Sequence, residues 1–195
     1  MDIKEIERHY ERISDDELIR IATTNACGLR PEVFGIIENE IKKRNLDLNI
    51  LEGALAQNKE YDIEEIEAYS ELLRVLPCPI CGRVDKKLNG TILHTVKSFI
   101  VFTVTNKELI IACPDCLDKK NDGATLTTAL LGWWGIPFGL FQTPSYAYKN
   151  YKARKEHRLD IANDTLLSFT LRNIGEIETY KDNQEKLSEI IKIKK

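Results

Sequence analysis

Apolar residues recur at helical spacing through the first third of the chain. Ile3, Ile6 and Tyr10 fall on one face, and Leu18, Ile21 and Ala22 share another. Ser14 opens Ser-Asp-Asp-Glu, a capping-box pattern in which Glu17 reaches back to the start of the helix. Gly28, after Cys27, is placed to stop that second helix. Pro31 suits the first turn of a third helix, with Val33, Phe34, Ile37 and Ile41 on its apolar face. Lys42, Lys43 and Arg44 fall at its C-terminal end, where the helix dipole favours cations. Asp47 and Asp62 are candidate starts of two more helices. The second of these carries Ile63, Ile66, Tyr69, Leu72 and Leu73 and ends before Pro77.

From Pro77 the pattern changes to β-branched runs separated by turn residues. Thr91–Val96, Phe99–Thr105 and Leu109–Ala112 read as strands, with turn signals at Asn89-Gly90 and Thr105-Asn106-Lys107. Asn121 to Gly123 opens a short helix, Ala124–Leu131, which Gly132 stops. Ser145–Arg158 and Lys181–Lys195 read as helices. Residues 164–174 fit helix or strand, and Asn163 as a cap with Gly175 as a stop favours helix. The expected fold class is α+β in three regions: a helical N-terminal part at 1–76, an antiparallel β segment at 77–122 holding four cysteines, and a helical C-terminal part at 123–195.

Those cysteines carry the strongest chemical signal. Cys78-Pro-Ile-Cys81-Gly82 and Cys113-Pro-Asp-Cys116 are two pairs of the same spacing, 31 residues apart. A tetrahedral ion takes sulfur ligands at ~2.3 Å, and two cysteines two residues apart reach one edge of that shell from a single tight turn. Gly82 tolerates a positive φ after the first pair, whereas Leu117 holds the same place after the second. Structural Zn2+ is the expected cofactor. Rubredoxin-like iron, a redox dithiol and buried free thiols are the alternatives. Zinc binding at such a site is worth ~10–16 kcal/mol, much of it appearing as folding free energy. Four thiolates close the shell, which argues against hydrolysis at the metal.

Composition narrows the class. The chain has 195 residues, 43% hydrophobic and 30% charged, which excludes collagen-like, mucin-like and disordered classes. Net charge is -3, but residues 1–76 carry 10 basic and 18 acidic residues, leaving 18 basic and 13 acidic beyond. The start, MDIKEIERHY, lacks the apolar core of a secretory signal, and five cysteines, four of them in matched pairs, do not read as a disulfide framework. The reducing cytoplasm is the expected compartment. Among other candidate groups, His9, His94 and His157 are isolated from one another, and Cys27 reads as core packing near a helix end. Asp15-Asp16 and Glu64-Glu65 read as solvated helix faces. No phosphate loop, dinucleotide fingerprint or His-Glu-x-x-His helix occurs, and no nucleophile is paired with a base.

Gly123 to Tyr148 is 26 residues without a charge, and Trp133 and Trp134 stand adjacent within it. Its glycines, threonines and Pro137 argue against a spanning helix. Either Trp133, Trp134, Ile136 and Phe138 pack beneath the cysteine module, or they form an apolar patch for a membrane surface or a partner. Tyr146 to Arg158 then carries five basic residues, one acid and three tyrosines. Aromatics beside cations suit an interfacial segment or a nucleic-acid backbone, and also an ordinary solvated helix with its stems laid on apolar surface.

Cys-Pro-x-Cys-Gly, a strand-rich spacer, a second Cys-x-x-Cys and then Leu-Leu-Gly-Trp-Trp-Gly-Ile-Pro-Phe-Gly resemble a group of uncharacterised bacterial zinc-ribbon proteins. These carry a Gly-Trp-Trp-Gly-x-Pro-x-Gly segment after the ribbon. The resemblance runs from Cys78 to about Tyr151 and implies Cys78, Cys81, Cys113 and Cys116 as metal ligands and Trp133-Trp134 as part of the signature. It implies a fold and a metal and no activity. The expected function is a non-enzymatic binding or scaffold protein without a small-molecule substrate. Its interaction surface would be Trp133, Trp134, Phe138, Tyr148, Lys149, Tyr151, Lys152, Arg154, Lys155 and Arg158. A protein is the first expected partner. Nucleic acid and an anionic membrane are the others, the last with peripheral attachment at the inner membrane face.

Overall fold

The computed structural model describes residues 2–99, 102–132 and 138–192, with the backbone alone at 99, 102, 103 and 138–140. It is an α+β protein with ten helices and a two-stranded antiparallel sheet among the described residues, and helices lie on both sides of the sheet in the chain. The described residues form two compact units. One takes 1–69 with 170–190, the other 70–169 with those from 191 onward.

The first unit is built from α1 (Ile3–Arg12), α2 (Asp15–Thr24), α3 (Pro31–Lys43), α4 (Asn49–Ala56) and α5 (Ile63–Arg74) as far as Tyr69. Ser14 caps α2 by accepting from the Glu17 N–H at 3.2 Å. Glu17 does not reach back; its carboxylate takes Arg20 instead, at 2.6 Å. The reciprocal capping box forms at α5, where Asp62 accepts from the Glu65 N–H at 2.8 Å and Glu65 accepts from the Asp62 N–H at 3.2 Å. The core gathers Ile6, Tyr10, Leu18, Ala22, Val33, Ile37, Ile41, Ile50 and Ala54. Arg44 does more than meet a helix dipole. Its guanidinium donates to Tyr10 O at 2.6 Å and Ile13 O at 2.8 Å, covering the last carbonyls of α1, and pairs with the buried Glu40 at 2.8 Å. Later helices complete this unit: the end of α8 (Asp164–Arg172), α9 (Ile174–Thr179) and α10 (Gln184–Ile191, ending at the unit boundary). The last is shorter than the Lys181–Lys195 span expected. Cys27 is exposed rather than packed in the core.

The second unit holds β1 (Asn89–Phe99), β2 (Phe102–Ala112), α6 (Pro114–Leu131) and α7 (Phe138–Glu156). Two strands of 11 residues replace the three short ones expected. Their register runs unbroken from Asn89↔Ala112 to Phe99↔Phe102, so Thr105, Asn106 and Lys107 stay inside β2, opposite Val96, Thr95 and His94. Gly90 lies within β1 because another backbone comes close. A Cβ there would stand 3.0 Å from the Leu166 backbone N at the start of α8.

Side chains satisfy the outer edge of β1. Asn163 accepts from the Gly90 N–H at 3.3 Å and donates to Gly90 O at 2.7 Å. Asn150 does the same at His94, at 3.1 and 2.9 Å. Thr128 accepts from the Val96 N–H at 3.2 Å. Beneath the strand start, the buried Arg74 guanidinium donates to Leu88 O at 3.2 Å and Asp160 O at 2.8 Å. No helix among the described residues is long and apolar enough to cross a membrane.

Candidate metal centre

The first cysteine turn follows α5. Cys78 N–H donates to Arg83 O at 2.9 Å and Gly82 N–H to Cys78 O at 2.8 Å. This tight reversal needs the positive φ of +74° that Gly82 adopts. The second turn is of another kind. β2 ends at Ala112, Cys113 is the N-cap of α6, and Pro114 is its first residue. The Leu117 N–H donates to Cys113 O at 3.0 Å as the helix propagates. Leu117 therefore replaces glycine because its φ is helical, and its buried side chain packs the helix in place. The helix begins at Pro114, seven residues before the Asn121–Gly123 start that the turn residues signal. Asn121 is buried inside it and donates to Asn150 O at 2.6 Å.

The sequence-predicted ligands come together. The sulfur atoms of Cys78, Cys81, Cys113 and Cys116 all lie within 4.8 Å of one another, with Cys81 and Cys113 Sγ 3.7 Å apart. A tetrahedral ion with sulfur at ~2.3 Å has edges of about 3.8 Å, so the four thiols suit a zinc-sized ion without rearrangement of the backbone. Cys78 and Cys113 are buried, Cys116 is half-buried and Cys81 is exposed. The Arg83 backbone N–H and then its guanidinium hold the Cys81 thiol down to about 6. Burial pushes the Cys113 and Cys116 thiols up. Four sulfurs this close ionise together only around a cation. The Cys113 N–H donates to Cys78 Sγ at 3.4 Å and Arg83 approaches Cys113 Sγ at 3.9 Å, which adds donors around the sulfurs.

An ionic layer surrounds the centre. Asp115, next to Cys116, takes Lys86 at 2.7 Å and Arg83 at 2.6 Å, and these hold its carboxyl down to about 2. One turn on, Asp118 accepts from Arg158 at 2.6 Å and lies 2.9 Å from the fully buried His157 Nδ1. Burial alone would raise Asp118, but His157 and Arg158 outweigh it and the carboxyl stands below its ordinary value. Arg154 pairs with Asp122 at 3.0 Å. Asp115, Asp118 and Asp122 recur at helical spacing on α6, a signal that the 154–158 stretch has an acidic counterpart. That pairing had to be read across two segments to be seen.

The other residues expected in an interaction surface fall as follows. Tyr148, Lys149, Tyr151, Lys152 and Lys155 are exposed on α7, with Lys149 Nζ 5.1 Å from the Tyr146 ring centre. Arg154 and Arg158 are exposed and engaged with the α6 carboxylates. Trp133 and Trp134 lie outside the described residues, and of Phe138 only the backbone is described. Tyr146 stacks on His94, ring centres 5.0 Å apart. Exposed leucines on α6, Leu126 and Leu130, carried no sequence signal of their own. Compared with family models, curated proteins and solved structures, the chain matches none of them.

Proposed function

We propose that this is a non-enzymatic binding protein whose second unit is assembled around a structural zinc ion, with its interaction surface on the exposed flank of α7. The observation that carries the reading is the convergence of four thiols within 4.8 Å. A complete thiolate shell leaves no coordination position for a substrate, so the ion holds architecture rather than performing chemistry. The two turns it joins are the chain's way into β1 and its way out of β2 into α6. α7 is in turn clamped to α6 by Asp118 and Asp122. The ion thus fixes the support on which Tyr148, Lys149, Tyr151, Lys152 and Lys155 are presented.

Elemental analysis of protein purified under reducing conditions tests this. The expected result is about one zinc per chain, lost in Cys113→Ser, with chelation unfolding the second unit. Metal-free protein with the same unfolding curve as the wild type would overturn the reading. The surface itself is tested by a photo-cross-linker at Tyr151, which is expected to label the occupant of the α7 flank, and a cross-linker at an exposed position of the first unit such as Glu7 is expected not to.

A further inference from the structure

Resting on that reading, we propose that the partner of this surface is an anionic lipid bilayer, met by the end of the second unit farthest from the cysteines. α6 runs about 22 Å from Cys116 to Leu131 at 1.5 Å per residue. Its far end meets the far end of the hairpin, where the Ser98 hydroxyl donates to Gly132 O at 2.7 Å. α7 starts from the same end and runs back along α6. This end exposes large apolar side chains to water. Leu126 and Leu130 are each 61% exposed on α6, Phe141 is 73% exposed on α7, and Val104 is half exposed on β2. Single exposed leucines are ordinary, but here several large apolar side chains are exposed on three elements that share one end of the unit.

Charge decides the occupant. No acidic or basic residue occurs between Gly123 and Tyr148, or between Ser98 and Asn106. Where charge resumes on the chain it is basic in three of four directions: Lys97 and Lys107 on the hairpin and Lys149 on α7. Lys107 is the register partner of His94, and Lys149 Nζ lies 5.1 Å from the ring centre of Tyr146, which stacks on His94, so both lysines stand at the level of His94. Tyr148 and Tyr151 stand beside Lys149 and Lys152, all exposed. An apolar end bordered by tyrosines and lysines matches a bilayer interface, in which side chains enter the acyl boundary, rings lie at headgroup depth and ammonium groups meet anionic phosphates. A nucleic acid is the poorer match. The arginines best suited to phosphate, Arg154 and Arg158, are paired with Asp122 and Asp118. The absence of a spanning helix among the described residues fits docking at the surface.

The test uses the full zinc-loaded chain in co-sedimentation with phosphatidylcholine vesicles, with and without phosphatidylglycerol. The expected result is binding to the anionic vesicles and about tenfold less to phosphatidylcholine alone. Tryptophan emission should also shift to the blue, because Trp133 and Trp134, the only two tryptophans, directly follow Gly132 in the chain. Leu126→Asn with Phe141→Ser, and separately Lys149→Glu with Lys152→Glu, should each lower binding about tenfold at unchanged zinc content and circular dichroism. Wild-type protein that ignores anionic vesicles overturns the proposal, as does a Leu126→Asn/Phe141→Ser variant that binds them undiminished. A dimer dissolved by that variant, without vesicle binding, would assign the patch to a second copy. Salt-sensitive binding of a single-stranded oligonucleotide without vesicle binding would assign it to nucleic acid. In either case the lipid assignment falls while the binding-protein reading stands, whereas absence of zinc overturns that reading whatever the vesicles do.

Discussion

Asn163 joins a helix cap to a strand edge, and replacing it separates the two roles. Its Oδ1 accepts from the Leu166 N–H at 3.0 Å as the N-terminal cap of α8, and also from the Gly90 N–H at 3.3 Å. Its Nδ2 donates to Gly90 O at 2.7 Å. Asn163→Ala removes a cap worth ~1 kcal/mol. It also strands two buried backbone groups of Gly90 at about 1–3 kcal/mol each. The longer of the two Gly90 bonds sets the total near the lower limit, about 3–4 kcal/mol. Asn163→Asp is the discriminating variant. It keeps the cap and the acceptor for the Gly90 N–H, but turns an acceptor oxygen toward Gly90 O. If capping were the whole role, Asp would match or improve on Asn. If the strand edge matters, Asp loses the bond to Gly90 O, about 1–3 kcal/mol. Urea unfolding should show the second unit's midpoint fall by about 1.5–2 M in Asn163→Ala and about 0.5–1.5 M in Asn163→Asp, at an m-value near 2 kcal/mol/M. An Asn163→Asp protein within about 0.5 kcal/mol of wild type would refute the strand-edge role.

Glu40→Gln should destabilise the first unit at neutral pH. Burial alone would raise Glu40, but Lys43 and Arg44 outweigh it and hold it below its ordinary value. The ionised side chain thus stabilises above the unfolded carboxyl pKa of ~4.3, and the benefit is lost as pH falls through the lower folded value. The difference in urea midpoint between wild type and variant should close below about pH 4, and a gap that persists in acid would contradict this. Gly53→Ala should cost the same unit about 3 kcal/mol or more. The new methyl would stand 2.0 Å from Thr179 Oγ1 and 2.5 Å from Gly175 O. Because the second contact is backbone, Thr179→Ala should not restore the melting temperature, and full restoration would show that the side chain alone sets the limit.

The metal centre was legible because coordination geometry constrains spacing. Two Cys-x-x-Cys pairs with a glycine after the first can be read without knowing the fold. The N-terminal helices were legible for a similar reason, since Ser14, Pro31 and Asp62 act on backbone groups within four residues. Nothing local says that the helices at 174–190 pack with the first unit. Nor does the sequence announce where the hairpin reverses. Phe99 pairs with Phe102, whereas Asn106, which carries a turn signal, lies mid-strand. The start of α6 was hidden because Asn121, Asp122 and Gly123 look like breakers. The buried bond from Asn121 to Asn150 O compensates for its poor helix propensity, and that partner is 29 residues away.

Among its described side chains α7 inverts the usual rule, which explains why its first half was not read as helix. Thr143 and Asn150, seven residues apart on one side of α7, are buried, as is His157 just past its end, while Phe141, Tyr148 and Tyr151 face water. A helix that folded by hydrophobic burial would place these two sets the other way round. Directed bonds hold the described buried side of α7: Asn150 to the His94 backbone, about 0.5–1.5 kcal/mol net for each bond, and, just past the helix end, His157 to the Asp118 carboxylate, about 1.5–3 kcal/mol. Such an arrangement gives up the ~1.5–3 kcal/mol that burying each large apolar side chain would contribute. On the proposed bilayer reading, entry of Phe141 into the acyl boundary would recover part of that loss, with Tyr148 and Tyr151 at headgroup depth.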